Sequence, residues 1–264
     1  FLRKTNKKII MLILYRFLIN FITILSPIII IFRLLKKKES LKRFKEKFCF
    51  FSIKKKSGKL IWFHGASVGE IQSVVPLLEE LDKNKKIKQI LLTSNTLSSS
   101  KVAKKIKIKK LVHQFFPVDT NLFSQKFINY WKPSAAFFID SEIWPNMLTN
   151  LKKRNVPTIL INGRISKKTF LKWNSISSFS KKIFQKFDLC LSSSKESKKI
   201  LIKLGANKVK YIGNLKYSQS ENENFNTNNF LKKNFQSRKI WCASSTHETE
   251  EKFCAKTHLE IKKS

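Results

Sequence analysis

From Lys59 onward, short apolar runs alternate with longer amphipathic stretches. The runs at 59–66, 88–94, 111–117, 135–140, 157–162, 188–193 and 208–213 have the length and the β-branched or aromatic content of strands. Their apolar character is continuous rather than alternating, so both faces must be covered. That predicts a βαβ series folding into a parallel sheet between two helical layers. The intervening helices are expected to begin near Glu70, Leu97, Thr120, Trp144, Ser166 and Ser194, with Pro145 suited to a first turn and Gly205 to a C-terminal stop. Upstream, residues 9–32 are apolar apart mainly from Arg16 and Asn20, long enough to cross a hydrocarbon layer of ~30 Å as a membrane anchor. The charge-free part, 17–32, carries Pro27, so a re-entrant or interfacial helix fits the same residues. No small-x-small site follows for a signal peptidase. The polar, Asn-rich stretch after Lys216 reads as a linker, and Lys239 to Ala243 as the first strand of a second unit. The expected organisation is therefore an anchor with its basic flank over 1–50, an α/β domain over 51–216, a linker over 217–238 and the start of another domain over 239–264.

Charge narrows the setting. With 54 Lys+Arg against 17 Asp+Glu the 264-residue chain carries a formal +37, which calls for polyanionic surroundings, and 42% hydrophobic residues exclude a disordered tail. Lys outnumbers Arg by 47 to 7 beside 23 Phe, a bias that an AT-rich coding sequence also produces. Arg33, Lys36, Lys37, Lys38, Lys42, Arg43, Lys45 and Lys47 follow the apolar segment more densely than Arg3, Lys4, Lys7 and Lys8 precede it. This places the body on the cytoplasmic side, drawn to an anionic membrane surface. No basic and aromatic interleaving of a base-stacking module occurs, so nucleic acid is not an expected partner. Four cysteines and four histidines lack the paired spacings of a zinc site, so no metal is expected, and cysteines this sparse suit reduced thiols.

In an open α/β sheet, ligands collect beyond the carboxyl ends of the strands. Four strand-to-helix turns there carry candidate chemistry. In His64-Gly65-Ala66-Ser67-Val68-Gly69-Glu70, Glu70 opens a helix whose positive end keeps it an ionised proton acceptor, although an acid there is also an ordinary first-turn residue. The same turn is formally G-x-S-x-G, which makes a serine hydrolase using Ser67 a rival, with His247 downstream as a conceivable partner. In Asp140-Ser141-Glu142-Ile143-Trp144-Pro145, either acid is placed to orient a sugar hydroxyl or to cap the helix. Arg164 is placed to grip a phosphate or to tie a loop to a carboxylate. Ser244-Ser245-Thr246-His247-Glu248 precedes a helix as a phosphate cradle or a plain N-cap would. A basic membrane-surface protein without catalysis is the third reading.

Together these segments resemble the Kdo transferases, membrane-anchored glycosyltransferases that add 3-deoxy-D-manno-octulosonic acid (Kdo) to the lipid A precursor in lipopolysaccharide synthesis. The resemblance rests on HGASVGE at 64–70, TSNTLSS at 93–99, FPVD at 116–119, DSEIWPN at 140–146, INGRIS at 161–166, GNLK at 213–216 and SSTHETEE at 244–251, in the family's order. It implies a GT-B fold of two Rossmann-like domains, the first taking the lipid acceptor and the second CMP-Kdo, at the cytoplasmic face of the bacterial inner membrane. CMP-Kdo is then a substrate, and no cofactor is implied. By the same resemblance Glu70 matches the general base, Ser67 and Gly69 shape its turn, and Glu142, with Arg164, lies on the acceptor side. Ser245, Thr246, His247 and Glu248 fall in the donor-binding loop. Asp140 stands where the family usually has Glu, and Thr249 where it has Gly, which tolerates conformations Thr does not. The family's length implies a fragment, with too little of the donor domain to transfer sugar alone.

Overall fold

The computed structural model describes residues 2–218 and 240–263, with side chains from Ile10 to Lys216 and from Ile240 to Lys262. Two compact units divide at Gln219/Ser220. In the first, α1 (Leu2–Ile24) and α2 (Ser26–Leu35) lead into a 3-10 turn at Phe44–Phe48. Then β1 (Lys59–His64), α3 (Val68–Ser73), α4 (Val75–Lys83), β2 (Ile87–Ser94), α5 (Leu97–Lys105), β3 (Leu111–Phe115), α6 (Asn121–Trp131) and β4 (Ala135–Ile139) follow. The unit continues through α7 (Pro145–Lys153), β5 (Thr158–Gly163), α8 (Lys167–Ser175), α9 (Ser177–Phe184), β6 (Leu189–Ser192), α10 (Lys195–Lys203) and β7 (Val209–Tyr211), closing in a 3-10 turn at Leu215–Ser218.

All seven strands pair in parallel in the order β3-β2-β1-β4-β5-β6-β7. This is the doubly wound, Rossmann-like α/β arrangement, and its order reverses between β1 and β4. Strand alternation divides the core between the two faces. Leu60, Trp62, Phe138 and Leu160 pack with Phe127 and Trp131 of α6, Leu148 of α7, Phe184 of α9 and Leu201 of α10. Phe63, Ile90, Leu92, Ile139 and Ile161 pack with Ile71 of α3, Leu78 of α4 and Ala103 of α5. The helix starts follow local capping: Ser67, Thr96, Thr120, Ser166 and Ser194 each accept a first-turn N–H, and Pro145 opens α7. Gly205 ends α10 at φ +103°, with its Cα against the Lys181 backbone where a Cβ would lie only 2.8 Å away.

Three expectations change. The apolar N-terminal run is two helices and not one, bent by 53° at Leu25, with Pro27, which has no N–H to donate, opening the second. Among the described residues no single helix is long and apolar enough to cross a membrane, although Ile10–Ile24 and Ser26–Leu35 together have the length and composition. Arg16 is no stray charge in that run, since it leaves α1 to bond Asn146 and Asn121. The basic flank is divided in use. Arg33 and Lys47 converge on buried Glu39, and Arg43 forks onto buried Glu46, which also accepts the Phe115 N–H; Lys36, Lys37, Lys38, Lys42 and Lys45 stay exposed. Finally, Ile240 to Ala243 form no strand, and among the described residues no strand pairs with them, while Lys239 lies outside the described residues; the second unit's described helix is α11 (Glu248–Lys263). The linker expected over 217–238 lies outside the described residues except for Tyr217 and Ser218, which end the 3-10 turn. Buried Cys49 and Cys190 and the other two cysteines are all free.

Candidate active site at the strand switch point

The reversal of strand order between β1 and β4 opens a crevice at their carboxyl ends, and the residues that leave those two strands meet there. Ser67 caps α3, accepting from the Glu70 N–H at 3.3 Å. Glu70 folds back over the turn, where its carboxylate accepts from the Ala66 N–H at 2.7 Å and the Ser67 hydroxyl at 2.7 Å, a close variant of a capping box. Gly65 makes that fold-back possible: a Cβ there would lie 3.0 Å from Ile139 Cδ1 and 3.2 Å from Glu70 Cβ. Capping accounts for the bonds of Glu70 but not for its acidity. Burial pushes its carboxyl above the usual range against the pull of Ser67 and Ala66, and the nearby charges of Glu142 and Asp140 push the same way.

Glu142 shows the opposite balance. Burial would raise its carboxyl, but His64 Nε2 at 3.0 Å and the Trp144 indole N–H at 2.9 Å together hold it below its ordinary value. Two acids whose surroundings drive them apart are the arrangement that lets one take a proton while the other stays charged. Asp140 is the third acid. It sits at φ +56°, a left-handed conformation that short Asp tolerates better than Glu, which gives a physical reason for the aspartate here. Burial raises its carboxyl, opposed by a 2.5 Å bond from Asn162 Nδ2 and by the charges of Lys216 and Arg164. Asn162, itself at φ +53°, also accepts the Leu215 N–H at 3.1 Å, which pins the closing 3-10 turn beside α3. A Cβ on Gly69 would lie 3.7 Å from Lys216 Nζ, so this amine stands over the first turn of α3.

The structure thus brings Ser67, Gly69, Glu70, Glu142 and Asp140 together, with exposed Arg164 beside Asp140. It places Ser245, Thr246, His247 and Glu248 in the second unit, around the start of α11, where the His247 N–H donates to Glu250 at 3.0 Å and Ser245 takes φ +59°. The Ser67 hydroxyl caps α3 and donates to the Glu70 carboxylate, and among the described residues no histidine is bonded to it as in a Ser-His-Asp triad. Sequence reasoning assigned no role to His64, Trp144, Asn162 or Lys216. All four stand inside motifs already singled out, and the motifs were the signal.

Beyond Trp144 lies an apolar groove of about 410 Å³ lined by Tyr15, Ile143, Trp144, Trp173, Ile176 and Phe179, with Lys172 beside them. Tyr15 brings α1 to its wall, and the α1 residues Leu14, Phe17, Leu18 and Phe21 are exposed. Among the described residues no three His, Cys, Asp or Glu side chains gather as a metal ion requires.

Fold and site define a doubly wound α/β domain with a carboxylate cluster at its topological switch point. The chain belongs to the 3-deoxy-D-manno-octulosonic-acid transferase (Kdo transferase) family, whose model matches residues 42–219. It is 30% identical over 255 residues to the 3-deoxy-D-manno-octulosonic acid transferase of Rickettsia bellii, covering 96% of this chain and 60% of that protein. It is 31% identical over 256 residues to a probable mitochondrial 3-deoxy-D-manno-octulosonic acid transferase of Arabidopsis thaliana, covering 93% and 57%. The chain therefore spans about three fifths of the length of these relatives. A solved UDP-GlcNAc 2-epimerase from Neisseria meningitidis is similar with a TM-score of 0.47 at 13% identity, over 69% of this chain and 55% of that one.

Proposed function

We propose that the gene product carrying this chain transfers Kdo from CMP-Kdo to a hydroxyl of the lipid A precursor. The observation that carries the proposal is Glu70, made a weaker acid by burial and anchored by Ser67 and Ala66 where the strand order reverses. In this reaction the acceptor oxygen forms a bond to the anomeric carbon of Kdo as the bond from that carbon to the CMP phosphate breaks. The phosphate leaves with the electron pair, and the hydroxyl proton goes to Glu70. A carboxyl drawn upward is a stronger base than an ordinary one while still giving up its proton between turnovers. Glu142, kept ionised, and Arg164 orient the acceptor, and Gly69 leaves its backbone open to approach. Ser245, Thr246, His247 and Glu248 belong to the donor loop of a GT-B partner domain. CMP-Kdo is a substrate, and the reaction needs no cofactor.

The groove beside Trp144 favours an acylated acceptor over a soluble sugar, since burying acyl carbons there contributes about 0.8 kcal/mol per methylene. Exposed apolar residues on α1 and α2 and the exposed lysines between 36 and 45 suit attachment to the anionic, cytoplasmic face of a bacterial inner membrane. The test uses the complete gene product with CMP-Kdo and lipid A precursor, followed by mass spectrometry of the lipid. Addition of Kdo that Glu70→Gln abolishes and Ser67→Ala only reduces supports the reading. No product from the unsubstituted protein, or an active Glu70→Gln, refutes it.

A further inference from the structure

His64 is fully buried, yet the transfer reaction as written gives it nothing to do. Its ring is tightly held, stacked on Phe116 with 3.9 Å between centroids and meeting Phe138 edge-on. Both ring nitrogens have polar neighbours. Nδ1 lies 3.0 Å from the Thr93 hydroxyl, which also accepts the Trp62 indole N–H at 2.9 Å. Nε2 lies 3.0 Å from Glu142 Oε2. An ionised carboxylate has no hydrogen to give, so this approach requires the proton on Nε2; a bare Nε2 would set two lone pairs against each other. Nδ1 also lies 3.3 Å from the Thr93 carbonyl, and the Thr93 hydroxyl, already accepting from Trp62, has the Phe63 carbonyl within 3.2 Å as a second acceptor for its hydrogen. Trp62 thus donates to Thr93 and His64 to Glu142, while Thr93 meets the other edge of the ring through its hydroxyl and its carbonyl.

We propose that His64 is the positioning residue of Glu142, donating to its carboxylate from Nε2, with Thr93 holding the other edge of the ring. The Trp144 indole N–H reaches the same carboxylate oxygen at 2.9 Å and lies 3.1 Å from His64 Nε2, so the three polar atoms form one cluster. Oε2 is held by two N–H donors, and Oε1, which neither donor uses, is the atom left for an acceptor hydroxyl. Supporting groups of this kind fix a reacting side chain more closely than its own rotamer preference does. His64 acts through Glu142 and does not itself meet substrate. What Glu142 does rests on the sugar-transfer reading, but how it is held does not.

The experiment is nitrogen-15 NMR of the 264-residue chain with labelled histidine, the His64 signals being identified by their loss in His64→Gln. The expected result is a proton on Nε2 throughout neutral pH; a bare Nε2 overturns the proposal. Carbon-13 titration of the glutamate carboxyls provides the second readout, with Glu70 and Asp140, which share the crevice, followed beside Glu142. His64→Leu should raise the Glu142 midpoint by about one pH unit, a tenfold gain in proton affinity. His64→Gln, whose amide N–H can reach the same oxygen, should restore most of the original midpoint. A merely space-filling His64 would leave the midpoint alike in all three proteins and overturn the proposal. Should His64→Leu not fold, His64→Phe decides, since it keeps an aromatic ring on Phe116 without an N–H: the Glu142 midpoint should rise, and an unchanged midpoint overturns the proposal. Absence of Kdo transfer by the complete protein would sink the catalytic reading and leave these spectra to decide the positioning.

Discussion

Asp119 ties the N-terminal helix to the helix that follows the acidic turn, and its removal should loosen both. Its carboxylate is fully buried and accepts from the Asn146 N–H at 2.9 Å, the Met147 N–H at 2.8 Å and the Tyr15 hydroxyl at 2.8 Å. Asn146 and Met147 belong to the first turn of α7, whose own N-cap position, Trp144, makes no side-chain capping bond. Asp119 therefore caps α7 from 26 residues upstream of it and holds α1 by the same group. Arg16 reinforces the junction through Asn146 and Asn121. Asp119→Ala would leave two buried backbone donors and one hydroxyl without an acceptor, each lost partner costing about 1–3 kcal/mol. Some relaxation around Tyr15, at the edge of the groove, brings the expected total to about 3–5 kcal/mol, a large part of a domain's whole stability.

Urea unfolding followed by far-ultraviolet circular dichroism measures this loss, in mild detergent because α1 exposes apolar residues. Tyr15→Phe alone removes one donor from the carboxylate and should cost about 1 kcal/mol. Once Asp119 is already Ala, the same change should cost almost nothing, so a double-mutant cycle should return a coupling of about that size. A destabilisation by Asp119→Ala below about 1 kcal/mol would show that water replaces the carboxylate. A cycle that closes without coupling would show that α1 is not held through Tyr15.

Gly65→Ala should displace Glu70 from Ala66, because buried Ile139 has little room to yield; a loss of about 1–3 kcal/mol in unfolding free energy together with lost Kdo transfer would be the outcome, and wild-type transfer would contradict it. Lys216→Met removes the cation that lowers Asp140, so the Asp140 midpoint in a carbon-13 titration should rise while the fold is retained. Glu70→Gln should gain stability relative to the unsubstituted chain as pH rises. A carboxyl raised in the folded state contributes stability below its unfolded value near 4.5 and loses it as pH rises through the folded value, so a Glu70→Gln protein that loses stability relative to the unsubstituted chain as pH rises would contradict the burial argument. Ile176→Asp should raise the KM for an acylated acceptor with that for CMP-Kdo unchanged; equal effects on both would remove the groove from acceptor binding.

The strands were legible because they are buried on both faces and so are apolar without interruption, and the helix starts because Ser67, Thr96, Thr120, Ser166 and Ser194 cap locally. Long-range partners had no such signature. The apolar run 9–32 looks uniform in sequence, but Pro27 breaks it and Arg16 finds Asn146, 130 residues away. The basic flank reads as a stretch drawn as a whole to an anionic membrane surface, yet Glu39 and Glu46 turn three of its cations inward. The run expected as a strand from Lys239 has the residue types of one, but Ile240 to Ala243 are unpaired among the described residues, and pairing is what no residue type signals.

The same distinction explains the candidate site. Glu70 could be singled out because a helix start and a carboxylate are both local facts, and local capping by Ser67 is enough to aim it. Glu142 could be named but not understood, since its state depends on His64 and Trp144, and the His64 ring depends in turn on Thr93 of a neighbouring strand. The strand register that pairs His64 with Thr93 also sets Gly65 beneath Glu70, with its N–H on the Thr93 carbonyl at 3.1 Å. One register thus fixes both acids: a slip of one residue between β1 and β2 would turn His64 to the opposite face and deprive Glu142 of one of its two donors even with every motif residue present. The motifs specify which groups are available, and the parallel pairing of β1 with β2 and β4 gives two chemically similar carboxylates opposite acidities.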